Sequence, residues 1–259
     1  MASDTTYRLR RNLPGWELLK AAGRAMLDLV FPPRCTACHE PWSAPPDRPQ
    51  WCPACDAQLA VDTRPRCMRC AARTSALPGG SAGCTVCHSR KLAFLETRTI
   101  GDYDGALRQA VLRSKQAAHA GLAMDLGRRL AEAVAATPFP HVPDLVVPVP
   151  MHWLRRLLRQ HHHALRIAQG LAQHLGWPYS DRLLVCGRYV GRQTGLTAAQ
   201  RWRYIRGAFA ARRHARGLCV LVVDDVMTTG ATAHEAARAL LAAQAACVLV
   251  ATVARSVPP

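Results

Sequence analysis

The sequence lacks any apolar run long enough to cross a bilayer. Its longest weakly polar stretch, Ala239 to Ala254, contains Gln244 and falls short of the roughly 20 residues that a spanning helix needs. That stretch is better read as a helix leading into a buried strand, Cys247–Val253. A secretory leader is missing too. Near the N-terminus Trp16, Leu18, Leu19, Ala22, Met26, Leu29 and Val30 make an amphipathic pattern, but Glu17, Lys20 and Arg24 interrupt any apolar core. These absences argue against an exported or membrane-spanning protein. They predict a cytoplasmic one whose thiols stay reduced. Residues 1–31 are expected to form a surface helix ending before Pro32-Pro33, with membrane-surface contact as the alternative use of its apolar face.

Lysine is scarce, 3 residues against 31 arginines, and acids number 17 against 34 basic residues, for a formal charge of +17. Coding bias in an Ala-rich chain explains the preference for arginine. It does not explain the distribution of acids: between Met151 and Arg216 there are 13 arginines and a single carboxylate, Asp181. A segment so depleted of negative charge suits a polyanion, because guanidinium groups bind phosphate bidentately and attract nucleic acid from a distance. Length and a 49% hydrophobic content allow one substantial core with an appendage, or two domains.

Eight of the eleven cysteines form four C-x-x-C units: Cys35/Cys38, Cys52/Cys55, Cys67/Cys70 and Cys84/Cys87. Thirteen residues separate the first unit from the second, and the third from the fourth. Two residues between cysteines let one tight turn aim both thiolates at one metal, and two such turns complete a tetrahedron. The pattern predicts two structural Zn²⁺ ions in a double zinc ribbon whose folding depends on metal. Sequential pairing and an interleaved cross-brace both satisfy the spacing. Two tetrathiolate sites would cut the charge of residues 1–94 from +6 to about +2. Cys35–His39 and Cys84–His88 also match the C-x-x-C-H haem-attachment pattern, but that would leave the other two units unexplained. A thioredoxin-like site needs one such motif in a βαβ context rather than four in loops. Cys186, Cys219 and Cys247 stand apart and are expected to pack as small apolar side chains.

From Val220 the chain reads V-L-V-V-D-D-V-M-T-T-G-A-T. Four apolar residues, three of them β-branched, suit a strand buried on both faces of a parallel sheet. Asp224 and Asp225 follow, at the strand end where open α/β sheets bind ligands. Thr228, Thr229, Gly230, Ala231 and Thr232 then open a helix running to about Ala243. Small residues at a helix N-terminus expose backbone N–H groups to a phosphate. Adjacent carboxylates can accept hydrogen bonds from two vicinal ribose hydroxyls. The alternative is a strand–turn–helix with an ordinary Asp/Thr cap and no ligand.

This segment resembles the phosphoribosyl-pyrophosphate motif of type I phosphoribosyltransferases, and the chain from about Leu27 onward resembles the ComF family, a competence-associated branch of that fold. Leu27–Cys35 looks like that family's lead-in to its double zinc ribbon. Tyr103–Lys115 is similar to the stretch ending in the family's lysine, and Val147-Pro-Val-Pro-Met151 to its pyrophosphate-loop strand. Gln193–Leu196, Arg201 and Gly207–Phe209 follow its central region. Two departures stand out. Where the family has an R-G-F-N-Q-type segment this chain has Arg159-Gln-His-His-His-Ala164, and Tyr204 stands where asparagine is usual. His161–His163 are read as a loop or helix start, with a metal site as the alternative.

The resemblance implies an α/β fold: a parallel-sheet type I phosphoribosyltransferase domain (93–259) behind the N-terminal helix (1–31) and a small double zinc ribbon (32–92). It implies phosphoribosyl pyrophosphate with Mg²⁺ as ligand. Thr228 to Thr232 would hold the 5′-phosphate, and Asp224 and Asp225 the ribose. Lys115 and the loop Val149, Pro150 and Met151, with Arg155, Arg156 and Arg159 near it, would hold pyrophosphate. It also implies a part in DNA uptake during natural transformation. A second function class, a catalytically inactive protein binding single-stranded DNA through 151–216, rests on Arg201-Trp202-Arg203-Tyr204-Ile205-Arg206, which interleaves guanidinium groups with aromatic rings. The competing use of Trp202 and Tyr204 is as packing residues over the sheet.

Overall fold

The computed structural model describes residues 32–43, 45, 48–74, 84–151, 162–188 and 197–256. The expected N-terminal helix, Arg155, Arg156, Arg159, His161 and Gln193–Leu196 lie outside them. After a one-turn helix α1 (Pro53–Gln58) the chain runs β1 (Thr97–Asp102), α2 (Gly105–Ser114), α3 (Ala120–Ala136), β2 (Leu145–Pro148) and α4 (His163–Leu175). It continues through β3 (Leu184–Cys186), α5 (Ala198–Ile205), β4 (Phe209–Ala211), β5 (Cys219–Met227), α6 (Ala231–Ala242) and β6 (Cys247–Arg255).

Strands β1, β6, β5 and β2 lie side by side in that order, all parallel. On β5, Leu221 and Val223 enter one core with Leu249 and Ala251 of β6; Val220 and Val222 enter the opposite core with Val248 and Val250. The continuous apolar run of the sequence is therefore two interleaved period-two patterns, one for each covered face. The first face is roofed by Leu122, Leu126 and Leu130 of α3 and Ile167 and Leu171 of α4. The second is roofed by Ala233, Ala236, Ala237 and Leu240 of α6. Fully burying each of these leucines contributes about 2 kcal/mol. A Cβ added to Gly127 on α3 would sit 2.1 Å from the Ile167 carbonyl oxygen, and one on Gly170 of α4 would sit 2.1 Å from that of Met124. The two helices thus touch backbone to backbone.

Two expectations need correction. The strand does not end before its acids: β5 continues through Asp224 and Asp225 to Met227, with Asp224 opposite Thr252 and Met227 opposite Arg255 of β6. Cys219 and Cys247 are not isolated packing residues; they face each other at the start of β5 and β6 and form a disulfide, Cα atoms 4.7 Å apart. The pair lies 28 positions apart in sequence, and its bond departs from the expectation that the thiols stay reduced.

The first four cysteines sit on a segment docked against α2 and α3. Trp51 and Leu59 enter the same core as Ile100 and Leu122. Thr36 Oγ1 donates to Asp125 Oδ2 at 2.7 Å, and the Arg113 guanidinium donates to the Ala37 carbonyl. The second four dock at the sheet edge, where the Thr97 N–H donates to the Met68 carbonyl at 2.8 Å. Above the second face, β3 and β4 form a small antiparallel pair. Trp202 and Ile205 of α5 pack with Phe209 and Ala231, and Gly207 N–H donates to Glu235 Oε2 at 2.9 Å.

Candidate functional site

The helix after β2, α4, covers one face of the sheet and the helix after β5, α6, covers the other. β2 and β5 are neighbours. Their C-terminal ends therefore diverge into connections leaving on opposite sides, which opens the crevice where α/β sheets bind ligands. The two candidate loops, Val149–Met151 and Thr228–Thr232, flank it. Val149 N–H donates to the Val223 carbonyl at 2.8 Å, which ties one loop's base to β5.

Asp225 stands in the crevice with two partners on one oxygen. Lys115 Nζ lies 2.8 Å from its Oδ2, and His163 Nε2 lies 3.0 Å from the same atom. Lys115 is the C-cap of α2 and His163 the first residue of α4, so three elements converge. The other oxygen accepts the Val226 N–H at 2.7 Å, while Asp224 Oδ1 accepts the Asp225 N–H at 2.8 Å. Burial raises the Asp224 carboxyl well above the carboxylate range, and the charge of Asp225 adds to the effect. Burial pushes Asp225 the same way, but the hydrogen bond and charge of His163, then those of Lys115, outweigh it and hold that carboxyl below the usual range. For Lys115 burial acts against the charged form, and Asp225 overrides it, leaving the ammonium group raised. The environment thus drives the two neighbouring carboxyls in opposite directions, Asp224 up and Asp225 down.

His163 was not among the expected site residues. The triple histidine does start a helix: His162 Nδ1 accepts the Leu165 N–H at 3.0 Å as the N-cap of α4. The same segment departs from the family pattern, and that departure was the one sequence signal pointing to it. Buried Nδ1 of His163 has no hydrogen-bond partner among the described residues.

In the second loop, Gly230 takes φ +79° as the N-cap of α6, a conformation that glycine adopts without Cβ strain. No acceptor among the described residues takes the N–H groups of Thr228, Thr229 or Gly230. Their carbonyls point the other way: Met227 and Thr228 oxygens accept from Arg255, and the Thr229 oxygen accepts from Arg90 Nη1 at 3.0 Å. Arg201 Nη1 donates to Thr228 Oγ1 at 2.7 Å, so it stands at this loop.

The other residues of its helix divide. Trp202 packs against His234 with ring centroids 4.9 Å apart and the planes tilted by 60°, and is partly buried. Arg203, Tyr204 and Arg206 are exposed, and the Arg188 guanidinium lies 5.9 Å from the centre of the Tyr204 ring. Of the expected nucleic-acid cluster, Arg203, Tyr204 and Arg206 are exposed, while Trp202 packs beside His234 and Arg201 bonds to the loop.

Each set of four cysteines comes together from sequential pairs: Cys35, Cys38, Cys52 and Cys55 in one, Cys67, Cys70, Cys84 and Cys87 in the other, sulfurs within 4.8 Å of one another. A tetrahedral Zn²⁺ with Zn–S near 2.3 Å sets its sulfurs about 3.8 Å apart. Cys38–Cys52, Cys70–Cys84 and Cys67–Cys87 are 3.7, 3.6 and 3.9 Å apart. Both quartets fit structural zinc, and thiolates alone as donors suit that metal over hard cations.

The double zinc ribbon domain family matches residues 26–89, and the phosphoribosyl transferase domain family matches residues 162–256. DNA utilization protein YhgH of Salmonella typhi is 30% identical over 174 residues, 66% of this chain and 76% of that protein. Its Escherichia coli K12 counterpart is 28% identical over 170 residues, 64% and 75% of the two chains. Competence protein F of Haemophilus influenzae is 26% identical over 163 residues, 61% and 71% of the two. Among solved structures, a glutamine phosphoribosylpyrophosphate amidotransferase of B. subtilis superposes with a TM-score of 0.34 at 26% identity, covering 50% of this chain and 25% of that one. With a double zinc ribbon followed by a phosphoribosyltransferase domain, and with these relatives, the chain belongs to the family of competence protein F (ComF) and DNA utilization protein YhgH.

Proposed function

We propose that the crevice between β2 and β5 binds phosphoribosyl pyrophosphate with Mg²⁺, and that the protein uses this site while handling DNA. The observation that carries the first part is the pairing of Asp225 with three outward N–H groups in one crevice. Thr228, Thr229 and Gly230 supply donors at the N-terminus of α6, where an anion is favoured. Asp225, favoured in its ionised form, supplies a hard oxygen for Mg²⁺ or for ribose hydroxyls, with the Asp224 carboxyl beside it. The buried Nδ1 of His163 offers a further polar contact to the ligand. Lys115 and Val149–Met151 would face the pyrophosphate. In a transfer reaction a nucleophile's bond to the anomeric carbon forms as the C–O bond to pyrophosphate breaks and that group leaves with the electron pair. Carboxylate Asp225 would stabilise the positive charge developing on the sugar. The DNA part of the proposal rests on the names of the YhgH and competence relatives.

The test is calorimetric titration of Mg²⁺–phosphoribosyl pyrophosphate into zinc-loaded protein, beside an Asp224→Asn/Asp225→Asn variant. Saturable binding that the variant loses supports the reading. Absence of binding by folded, zinc-loaded protein overturns it.

A second reading, direct binding of single-stranded DNA, is favoured by exposed Arg203, Tyr204 and Arg206 with Arg188 beside the ring. Aromatic faces stack on bases of any sequence and guanidinium groups track the backbone.

A further inference from the structure

The second zinc ribbon touches the phosphate loop from behind. Arg255, the last residue of β6, is 2% exposed, and its Nε donates to the Cys70 carbonyl at 2.7 Å. Its Nη1 reaches the carbonyls of Met227, at 3.0 Å, and of Thr228. Arg90, three residues beyond Cys87, donates from Nη1 to the Thr229 carbonyl at 3.0 Å. Three consecutive carbonyls of the loop are thus held by two guanidinium groups, one anchored on a zinc-ligand residue and one carried by the ribbon's final turn.

In a trans peptide unit the C=O and the following N–H point in opposite directions. Fixing the oxygens of residues 227–229 toward the ribbon therefore aims the N–H groups of Thr228, Thr229 and Gly230 into the crevice. We infer that Arg90 and Arg255 are positioning residues for anion binding and that the Cys67/Cys70/Cys84/Cys87 ribbon is a structural wall of the phosphate site, so that zinc at this ribbon sets the affinity of the loop. Among the described residues the first ribbon makes no contact with this loop. Its contacts run to α2 and α3 through Thr36, Ala37 and Trp51, on the other core.

This inference rests on the proposed phosphate site, and its test keeps the two apart. Mg²⁺–phosphoribosyl pyrophosphate is titrated into wild type, Arg90→Ala, Arg255→Lys, Cys84→Ser and Arg113→Ala. Zinc content is measured for each, and amide ¹H–¹⁵N spectra are recorded without ligand. Arg90→Ala is expected to keep both zinc ions and its fold, to shift the amides of Thr228–Gly230, and to bind about tenfold more weakly. Arg255→Lys, which keeps the charge but loses the fork, should behave alike. Cys84→Ser should lose one zinc and the binding, whereas Arg113→Ala, at the first ribbon, should bind as wild type. Wild-type affinity and unshifted loop amides in both arginine variants would overturn the inference. If wild type itself binds no phosphoribosyl pyrophosphate, the functional reading falls. The amide shifts then still decide the clamp: movement in Arg90→Ala sustains it, and none refutes it.

Discussion

Lys115 Nζ lies 2.8 Å from Oδ2 of Asp225, and this ion pair joins the end of α2 to the end of β5. His163 reaches the same oxygen from α4, so one carboxylate holds three elements at the mouth of the crevice. A ligand cation arriving at Asp225 must share or displace these partners.

The two acids are expected to respond oppositely to pH and to substitution. Asp225 has its folded value below the unfolded one near 3.9, so its stabilisation is present above that pH and is lost on acidification through the folded value. Asp224 has its folded value raised, so its stabilisation is complete below about 3.9 and disappears as pH rises through the folded value. Asp224→Asn mimics the protonated acid and should match or exceed wild-type stability by about 1 kcal/mol above neutral pH, with a flatter alkaline limb. Asp225→Asn leaves the Lys115 charge without its carboxylate and should cost about 2 kcal/mol. Urea denaturation from about pH 3 to 9 covers both, with the acid limb reporting Asp225 and the alkaline limb Asp224. A destabilised Asp224→Asn with a wild-type alkaline slope would show that Asp224 is ionised in the native state.

Gly127→Ala should be among the most damaging single-methyl changes in the molecule. Its Cβ would lie 2.1 Å from the Ile167 oxygen, and both sides of that contact are helix backbone, so no side chain can yield. Alanine would gain about 1 kcal/mol of helix propensity but force α3 and α4 apart, at about 3 kcal/mol or more. A drop in melting temperature in both Gly127→Ala and Gly170→Ala is expected, and an unchanged value in either would mean that the helices do not touch there.

Much of this architecture is written locally. Val220–Val223 announces a doubly covered strand, the C-x-x-C spacing announces its metal, and Thr228–Thr232 announces a loop at a helix start. What the sequence hides is the choice of distant partners. His163 meets Asp225 across 62 positions, Arg90 meets Thr229 across 139, and Arg255 meets Cys70 across 185. No periodicity or spacing encodes such pairs; they follow from which strands become neighbours. Arg255 does carry a faint local signal, a lone arginine closing an apolar strand. Arg201 shows the same dependence on distant partners. Read with its neighbours it looked like one member of a surface cluster, but helical geometry separates adjacent residues onto different faces, and it turns to Thr228.

Zinc removal should unfold more than the ribbons. Trp51, 2% exposed, packs with Leu59 into the core shared by β1 and α3, so losing the first metal exposes part of that core to water. Chelation at neutral pH is expected to release two zinc ions per chain and to red-shift tryptophan emission together with a fall in melting temperature. Zinc loss without change in emission would show that the first ribbon's packing stands without its metal.

Helix α5 offers the sharpest separation of the two ligands. Arg201 stands at Thr228, while Arg203, Tyr204 and Arg206 are exposed. Arg201→Ala should weaken phosphoribosyl-pyrophosphate binding about tenfold through the loss of a charged hydrogen bond at the loop. Its effect on single-stranded DNA should be small. Arg203→Ala with Arg206→Ala should leave the sugar phosphate untouched. If each guanidinium neutralises one phosphate, the double change lowers the slope of log affinity against log salt by about 1.4 for single strands. Tyr204→Ala should reduce DNA affinity by roughly 1–3 kcal/mol with the salt slope unchanged, because stacking releases no counterions. Fluorescence anisotropy of a labelled oligothymidylate at several salt concentrations measures all three. An unchanged slope in the double arginine variant removes α5 from the DNA-binding surface, and a DNA defect confined to Arg201→Ala would place the nucleic acid in the phosphate crevice itself.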